Sequence, residues 1–232
     1  YPEAPEREGS IRDMITPAYI RFNRLVTAFI GGIPAGICVS VGGAAYLSTD
    51  NRYIGALLFS VGLLAIITYK FSLYTGKVGL SFGKDAFFIL ELAAMWVGNL
   101  AGTMLFAGLL RGTRVGAEIS AKAAVLALSK TSAPLPELFC LGAGCGICMY
   151  IAVTWSGEDS HPTAWNAVLV TLPVAVFSLS GYEHCIADMF YFLAAEALDA
   201  KAFAVLLIVT LGNTFGSLLM AGWRQILSTL RL

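Results

Sequence analysis

Glu183, His184 and Asp188 are three ionisable residues set within one apolar region, in the stretch SGYEHCIADMF at residues 180–190 that follows LPVAVFSLS. Keeping an ionisable group at membrane depth costs about 2.5–3.5 kcal/mol on insertion scales, so such a residue marks a functional site. Imidazole titrates near neutrality and can give either a hydrogen bond or a proton, which puts His184 at the centre of any chemistry here. Asp188 lies four residues after His184, on the same face if a helix begins there, where its carboxylate can pair with the ring. The same carboxylate is equally placed to cap an opposing chain break.

Other reactive residue types point nowhere as clear. The five cysteines, Cys38, Cys140, Cys145, Cys148 and Cys185, all lie in apolar segments, where free cysteine packs as a small hydrophobe. Cys145 and Cys148 form a CxxC, but there is no second pair, and the remaining histidine is His161. A closed zinc site needs four ligands, so no metal and no cofactor is expected. Glu183 and His184 could act as acid and base of an intramembrane enzyme, but adjacent helical residues point about 100° apart. No serine or cysteine nucleophile with a partnered base accompanies them, and the sequence does not read as an enzyme.

The elements that must position these groups are membrane helices. The chain has 232 residues, of which 57% are hydrophobic and 13% charged, with a mean hydropathy of +0.75; this describes a polytopic membrane protein. A net charge of zero argues against a nucleic-acid partner, because counterion-release binding needs a basic surface. The opening YPEAPEREGS is polar, and the charged segment after it lacks the apolar core and cleavage site of a signal peptide, so none is expected. Residues 8–24 alternate charged and apolar positions, with Pro17 interrupting, and predict an amphipathic cytoplasmic helix within a tail at 1–24.

Residues 25–232 read as six spans, each near the ~20 apolar residues that a hydrocarbon core requires. The first, about 25–47, is rich in glycine, which lets another helix approach closely. The second begins near Ile54 and loses its apolar character in TYKFSLYTGKVGLSFGKDAF, where Lys70, Thr75, Gly76 and Lys77 intrude. The third covers about 87–110. Residues 112–136 form a polar connection with a short helix through AEISAKAAVLALSK; the fourth span covers about 138–154. The fifth begins near Trp165 and is interrupted by SGYEHCIAD as the second is by LYTGKVG, and the sixth covers about 203–223. Interrupted hydrophobic segments are discontinuous helices, tolerated where the freed backbone faces protein or a cavity.

The third span carries GNLAG and the sixth GNTFG, each after a broken helix that follows a whole one. Three helices repeated, at about 25–111 and 137–224, make a 3+3 arrangement, and an odd number forces the second copy to insert upside down. The expected fold is therefore an all-α integral membrane protein with an aquaporin-like protomer, its broken second and fifth helices meeting near the midplane. Orientation follows from basic residues at the span ends: nine of the 15 fall on the side of the N-terminus. N- and C-termini are thus expected in the cytoplasm of a multi-pass plasma-membrane or inner-membrane protein.

At LPVAVFSLSGYEHCIADMF, LYTG and the paired GNxxG motifs, the chain resembles the formate/nitrite transporter family, which also includes hydrosulfide channels and lactate-transporting members. The resemblance implies a pentamer of six-helix protomers in the bilayer, each with a pore for small monovalent anions or their conjugate acids. Position by position, it places His184 at the central histidine, Thr75 at the threonine facing it, and Lys130 at the lysine lining the outer vestibule. Leu73 and Tyr74 fall on one hydrophobic constriction and Phe177 on another, and Asn99 and Asn213 on the family's asparagines. The chain departs where the family usually has asparagine, at Asp188 and Gly146, and Tyr74 replaces the usual phenylalanine. The segment between Thr75 and Gly98 is also shorter than in formate channels.

An anion cannot enter a low-dielectric constriction bare; it needs fixed positive charge or a proton. Lys130 would raise its local concentration, half-helix N-termini would offer backbone N–H groups, and His184 would hydrogen-bond or protonate it. Glu183 is expected to hold loop N–H groups, since a bare carboxylate would repel the substrate. The competing reading is a channel for small neutral solutes of the aquaporin kind, which would carry two Asn-Pro-Ala half-helix starts and a pore arginine; the sequence has neither.

Overall fold

The computed structural model describes residues 17–156 and 163–230. Among these the chain forms nine α-helices, a single 3₁₀ turn and no strand. They are α1 (Pro17–Leu47), α2 (Arg52–Thr68), α3 (Tyr74–Lys77, continued by the 3₁₀ turn Val78–Leu80) and α4 (Phe88–Arg111). After them come α5 (Gly116–Ser132), α6 (Leu135–Ser156), α7 (Thr163–Leu179), α8 (Cys185–Ala194) and α9 (Ala200–Leu230). The helices α1, α4, α6 and α9 are long and apolar enough to cross a membrane. The others that are strongly apolar, α2, α7 and α8, are shorter.

Residues 17–24, the described part of the expected amphipathic stretch, run without a break into the first span as part of α1. Residues 8–16 of the expected amphipathic stretch, and His161, lie outside the described residues.

Both interrupted helices end in the same way. Phe71 N–H donates back to the Ile66 carbonyl at 2.9 Å with Lys70 at φ 57°, and Tyr182 N–H donates to the Phe177 carbonyl at 3.0 Å with Gly181 at φ 71°. Each is a Schellman-type stop, which needs a left-handed residue just after the helix. Glycine supplies it freely after α7, whereas after α2 a lysine adopts it at a cost of about 1–2 kcal/mol. The chain then runs extended and is held to a neighbouring helix, by Ser72 N–H on the Gly31 carbonyl at 2.9 Å and by Glu183 N–H on the Leu141 carbonyl at 3.3 Å.

Packing follows the glycines. α1 lies along α4 and α6 along α9, while α2 meets α7 and α8 is enclosed by α1, α4, α5 and α9. Every residue of α8 is buried, as a helix apolar on all sides must be. A Cβ added to Gly36 of α1 would collide with the Asn99 carbonyl, and one added to Gly146 of α6 with the Asn213 carbonyl. Gly146 is therefore fixed by the approach of α6 to α9, and an asparagine does not fit this backbone there.

Gly36→Ala and Gly146→Ala are each expected to cost about 1–3 kcal/mol by overpacking. Gly112, with nothing within 4 Å of an added Cβ, should accept alanine within about 0.5 kcal/mol. Apparent melting temperatures of the detergent-solubilised protein check both.

Candidate functional site

The breaks are fastened by two asparagines. Asn99 of α4 accepts from Tyr74 N–H at 3.0 Å through Oδ1, and its Nδ2 donates to the carbonyls of Gly32 (2.8 Å) and Ser72 (2.9 Å). Asn213 of α9 accepts from Cys185 N–H at 3.0 Å, and its Nδ2 donates to the carbonyls of Gly142 (2.8 Å) and Glu183 (2.7 Å). Both side chains are fully buried. The two sets correspond bond for bond, so Leu73 and His184 hold equivalent positions, each the residue just before a half-helix.

His184 uses both ring nitrogens. Ala187 N–H donates to Nδ1 at 3.2 Å, capping the start of α8. A backbone N–H can only donate, so Nδ1 carries no proton; the ring is the neutral Nε2–H tautomer. Nε2–H then donates to Thr75 Oγ1 at 2.9 Å, joining the first turn of α3 to the start of α8. Thr75 is 1% exposed and His184 3%.

On one side of the imidazole is a cavity of about 230 Å³. Phe59, Phe177 and His184 line it together with Lys130, Glu183, Asp188, Tyr46 and Tyr191. On the other side is a void of about 10 Å³, bounded by Leu73, Leu63, Val39, Met149 and Val174 and again by Phe59, Phe177 and His184. The three shared residues are thus the partition. Phe177 stacks on His184 with ring centroids 5.7 Å apart, and Phe59 meets Phe177 edge-on, also at 5.7 Å.

Lys130 and the acidic residues do not take the expected arrangement. The Lys130 ammonium contacts the Glu183 carboxylate and lies 2.8 Å from Asp188 Oδ1, with 5.7 Å to the Tyr191 ring centroid. It is therefore a compensated charge, not a free vestibule cation. Burial alone would lower its pKa, but Asp188 and Glu183 outweigh that and raise it above that of an ordinary lysine. Glu183 spends its carboxylate on Lys130 and not on loop N–H groups. Asp188 neither bonds to the His184 ring nor caps the opposite half-helix: Oδ1 is on Lys130, and Oδ2 has no hydrogen-bond partner.

Of the expected constriction residues, Leu73 and Phe177 line the void. Tyr74 does not; its hydroxyl is 2.8 Å from Thr214 Oγ1 of α9, which gives the buried phenol a polar partner. Phe59 escaped the sequence reading, being one aromatic residue among many apolar ones. Its signal was faint: on the buried face of α2 it is the large residue among Gly55, Ala56, Ser60 and Gly62.

Known proteins are similar to this chain in sequence and fold. Residues 18–226 match the family model described as formate/nitrite transporter. The chain is 26% identical over 196 residues to a formate channel FocA of Haemophilus influenzae, covering 75% of this chain and 68% of that protein. It is 28% identical over 235 residues to formate-nitrite transporter 2 of Toxoplasma gondii (88% and 50% covered). It is 31% identical over 185 residues to the nitrite transporter NirC of Escherichia coli (71% and 66% covered). The alignments thus span between half and about two thirds of the length of these relatives. Among solved structures, a pentameric formate channel with formate bound superposes with a TM-score of 0.74 at 24% identity, covering 93% of this chain and 100% of that one. An ion channel of the same family gives 0.76 at 23% identity, with 94% of each chain covered.

Lys130→Met leaves two buried carboxylates without their cation and is expected to cost about 3–5 kcal/mol. Combining it with Glu183→Gln and Asp188→Asn should restore most of the loss. Thermal unfolding of the purified variants decides.

Proposed function

The chain belongs to the formate/nitrite transporter family, and we propose that it is a membrane channel for small monovalent weak-acid anions of the formate, nitrite or hydrosulfide class. The observation that carries this reading is the partition. A neutral imidazole, held by Thr75 and the backbone of α8, sits with Phe59 and Phe177 between a polar cavity and an apolar void. In this reading α2 with α3 forms one crossing and α7 with α8 another. That makes six crossings in a 3+3 inverted repeat, supported by the equivalent roles of Asn99 and Asn213.

The protomer assembles as a pentamer, as the similar formate channel does by its description. It sits in the plasma or inner membrane with both termini cytoplasmic, and residues 112–136 connect the repeats outside. An anion reaches the cavity, loses part of its hydration, and meets His184 as a hydrogen-bond donor, the Nε2–H turning from Thr75 to the substrate. Apolar rings on both sides exclude hydrated cations. Residues 1–24 form the cytoplasmic tail and 25–232 the channel domain.

Flux of formate, nitrite, hydrosulfide, acetate and lactate into proteoliposomes tests the reading, with His184→Asn beside the wild type. The expected result is anion flux in the wild type that falls at least tenfold, or changes its order of preference, in the variant. Unchanged selectivity in the variant would overturn the role of His184, and equal passage of glycerol or water would favour a neutral-solute channel.

A further inference from the structure

The break between α2 and α3 carries charges that the rest of the protein does not neutralise. Lys70, Lys77 and Lys84 fall within one short stretch of chain; Lys70 and Lys84 are exposed and Lys77 is half-buried. Arg21 of α1 reaches the same stretch, its guanidinium 5.5 Å from the centre of the Phe87 ring. Among the described residues the carboxylates at this end are Asp85 and Glu91, and Arg24 takes both. No described carboxylate lies within ion-pair distance of the three lysines.

Lys70 adds a second sign. It holds φ 57°, where the corresponding residue after α7 is Gly181 at φ 71°. That conformation is free for glycine and strained for lysine. Strain of this kind persists where the residue serves a purpose, and the purpose of this side chain lies outside the described protein.

Depth decides what can meet it. Ser72 N–H is on the Gly31 carbonyl, and Gly31 lies about 24 Å along α1 from its Leu47 end, at 1.5 Å per residue. That is most of the way across a hydrocarbon core of about 30 Å. A lysine stem extends from there to the headgroups at the N-terminal end of α1. Tyr69, Leu80 and Phe82, interleaved with the lysines, are exposed large hydrophobic residues. Phe82 packs toward Gly222 of α9 and Asp85 is bound to Arg24 of α1, so the segment straps α9 to α1 across this end.

We propose that residues 69–84, with Arg21, bind the headgroups of anionic phospholipids in the leaflet at the N-terminal end of α1, and that this contact steadies the half-helix α3. The inference rests on the orientation read above for assigning that leaflet to the cytoplasmic side. Basic residues interleaved with exposed aromatic and aliphatic ones suit a charged headgroup above an acyl chain. A soluble phosphate would leave Leu80 and Phe82 in water. A second copy of the chain has no free carboxylate to offer from its described residues at this level, since its Asp85 and Glu91 are held by its own Arg24. The segment also contains Thr75, so whatever holds its lysines holds the partner of His184.

Native mass spectrometry of the detergent-solubilised protein, incubated with phosphatidylglycerol or phosphatidylcholine, tests the site. The wild type is expected to retain phosphatidylglycerol more tightly by about fivefold for each lysine engaged. Combining Lys70→Asn, Lys77→Gln and Lys84→Gln should remove that preference; asparagine tolerates the left-handed backbone. Lys122→Gln, whose lysine is paired with Asp50 and Glu118, should leave it unchanged. Equal retention of the two lipids by the wild type, or the same preference in the triple variant, overturns the inference. So does release of the lipid by an equal concentration of glycerol 1-phosphate, which would mark a site for soluble phosphate.

Hydrogen exchange of the wild type in nanodiscs reads the steadying of α3 and needs no variant to assemble. Amides of residues 73–80 are expected to exchange about fivefold more slowly with phosphatidylglycerol in the bilayer than with phosphatidylcholine alone. Identical exchange in the two bilayers overturns the link from lipid to α3. Neither measurement involves anion flux, so absence of flux overturns the channel reading and leaves this inference to its own tests.

Discussion

In a hydrocarbon core there is no water to satisfy a backbone N–H or C=O, so each interruption of a helix has to be repaired from within the protein. Everything else in this structure depends on how two such interruptions are repaired. One amide side chain does it in each case, because only asparagine and glutamine present an acceptor and two donors on one short planar group. Asn99 and Asn213 each accept the first N–H of a half-helix and donate to two carbonyls. They reach those carbonyls because glycines such as Gly36 and Gly146 let the paired long helices touch backbone to backbone. The helix pairing and the breaks are thus one device.

The repair also decides where chemistry can sit. A half-helix presents its N-terminus inside the protein, and the residue before it has an extended backbone whose side chain can cap it. In one half that residue is Leu73, which caps nothing and lines the void; in the other it is His184, which caps α8. Equivalent backbone positions therefore carry an apolar and a polar side chain, and the polar one is held from both sides. Capping fixes which ring nitrogen is bare, and Thr75 fixes where the other one points. The ring is thus held at both nitrogens, and the fold fixes its orientation.

Much of this was legible in the sequence. Breaks reveal themselves because Lys70, Gly76 and Glu183 are too expensive for an uninterrupted span, and GNxxG twice in corresponding places marks the repaired partners. The extents of α4 and α6 follow from hydropathy to within three residues at each end. What stayed hidden depends on which side chains meet across the fold. Phe59 looks like any lipid-facing aromatic residue, and only the position of Phe177 makes it half of a partition. The polar partner of the Tyr74 hydroxyl, Thr214, lies 140 positions away in the sequence. Lys130 looks solvated because α5 is polar, although α8 brings Asp188 against it from 58 positions away.

The charge cluster and the histidine constrain each other. Protonating His184 at Nδ1 would cost the cap of α8, and with it a hydrogen bond to a buried N–H, worth about 1–3 kcal/mol when left unmade. The cap therefore keeps Nδ1 bare, while the Lys130 ammonium on the same cavity is held by the carboxylates of Glu183 and Asp188 and not by the ring.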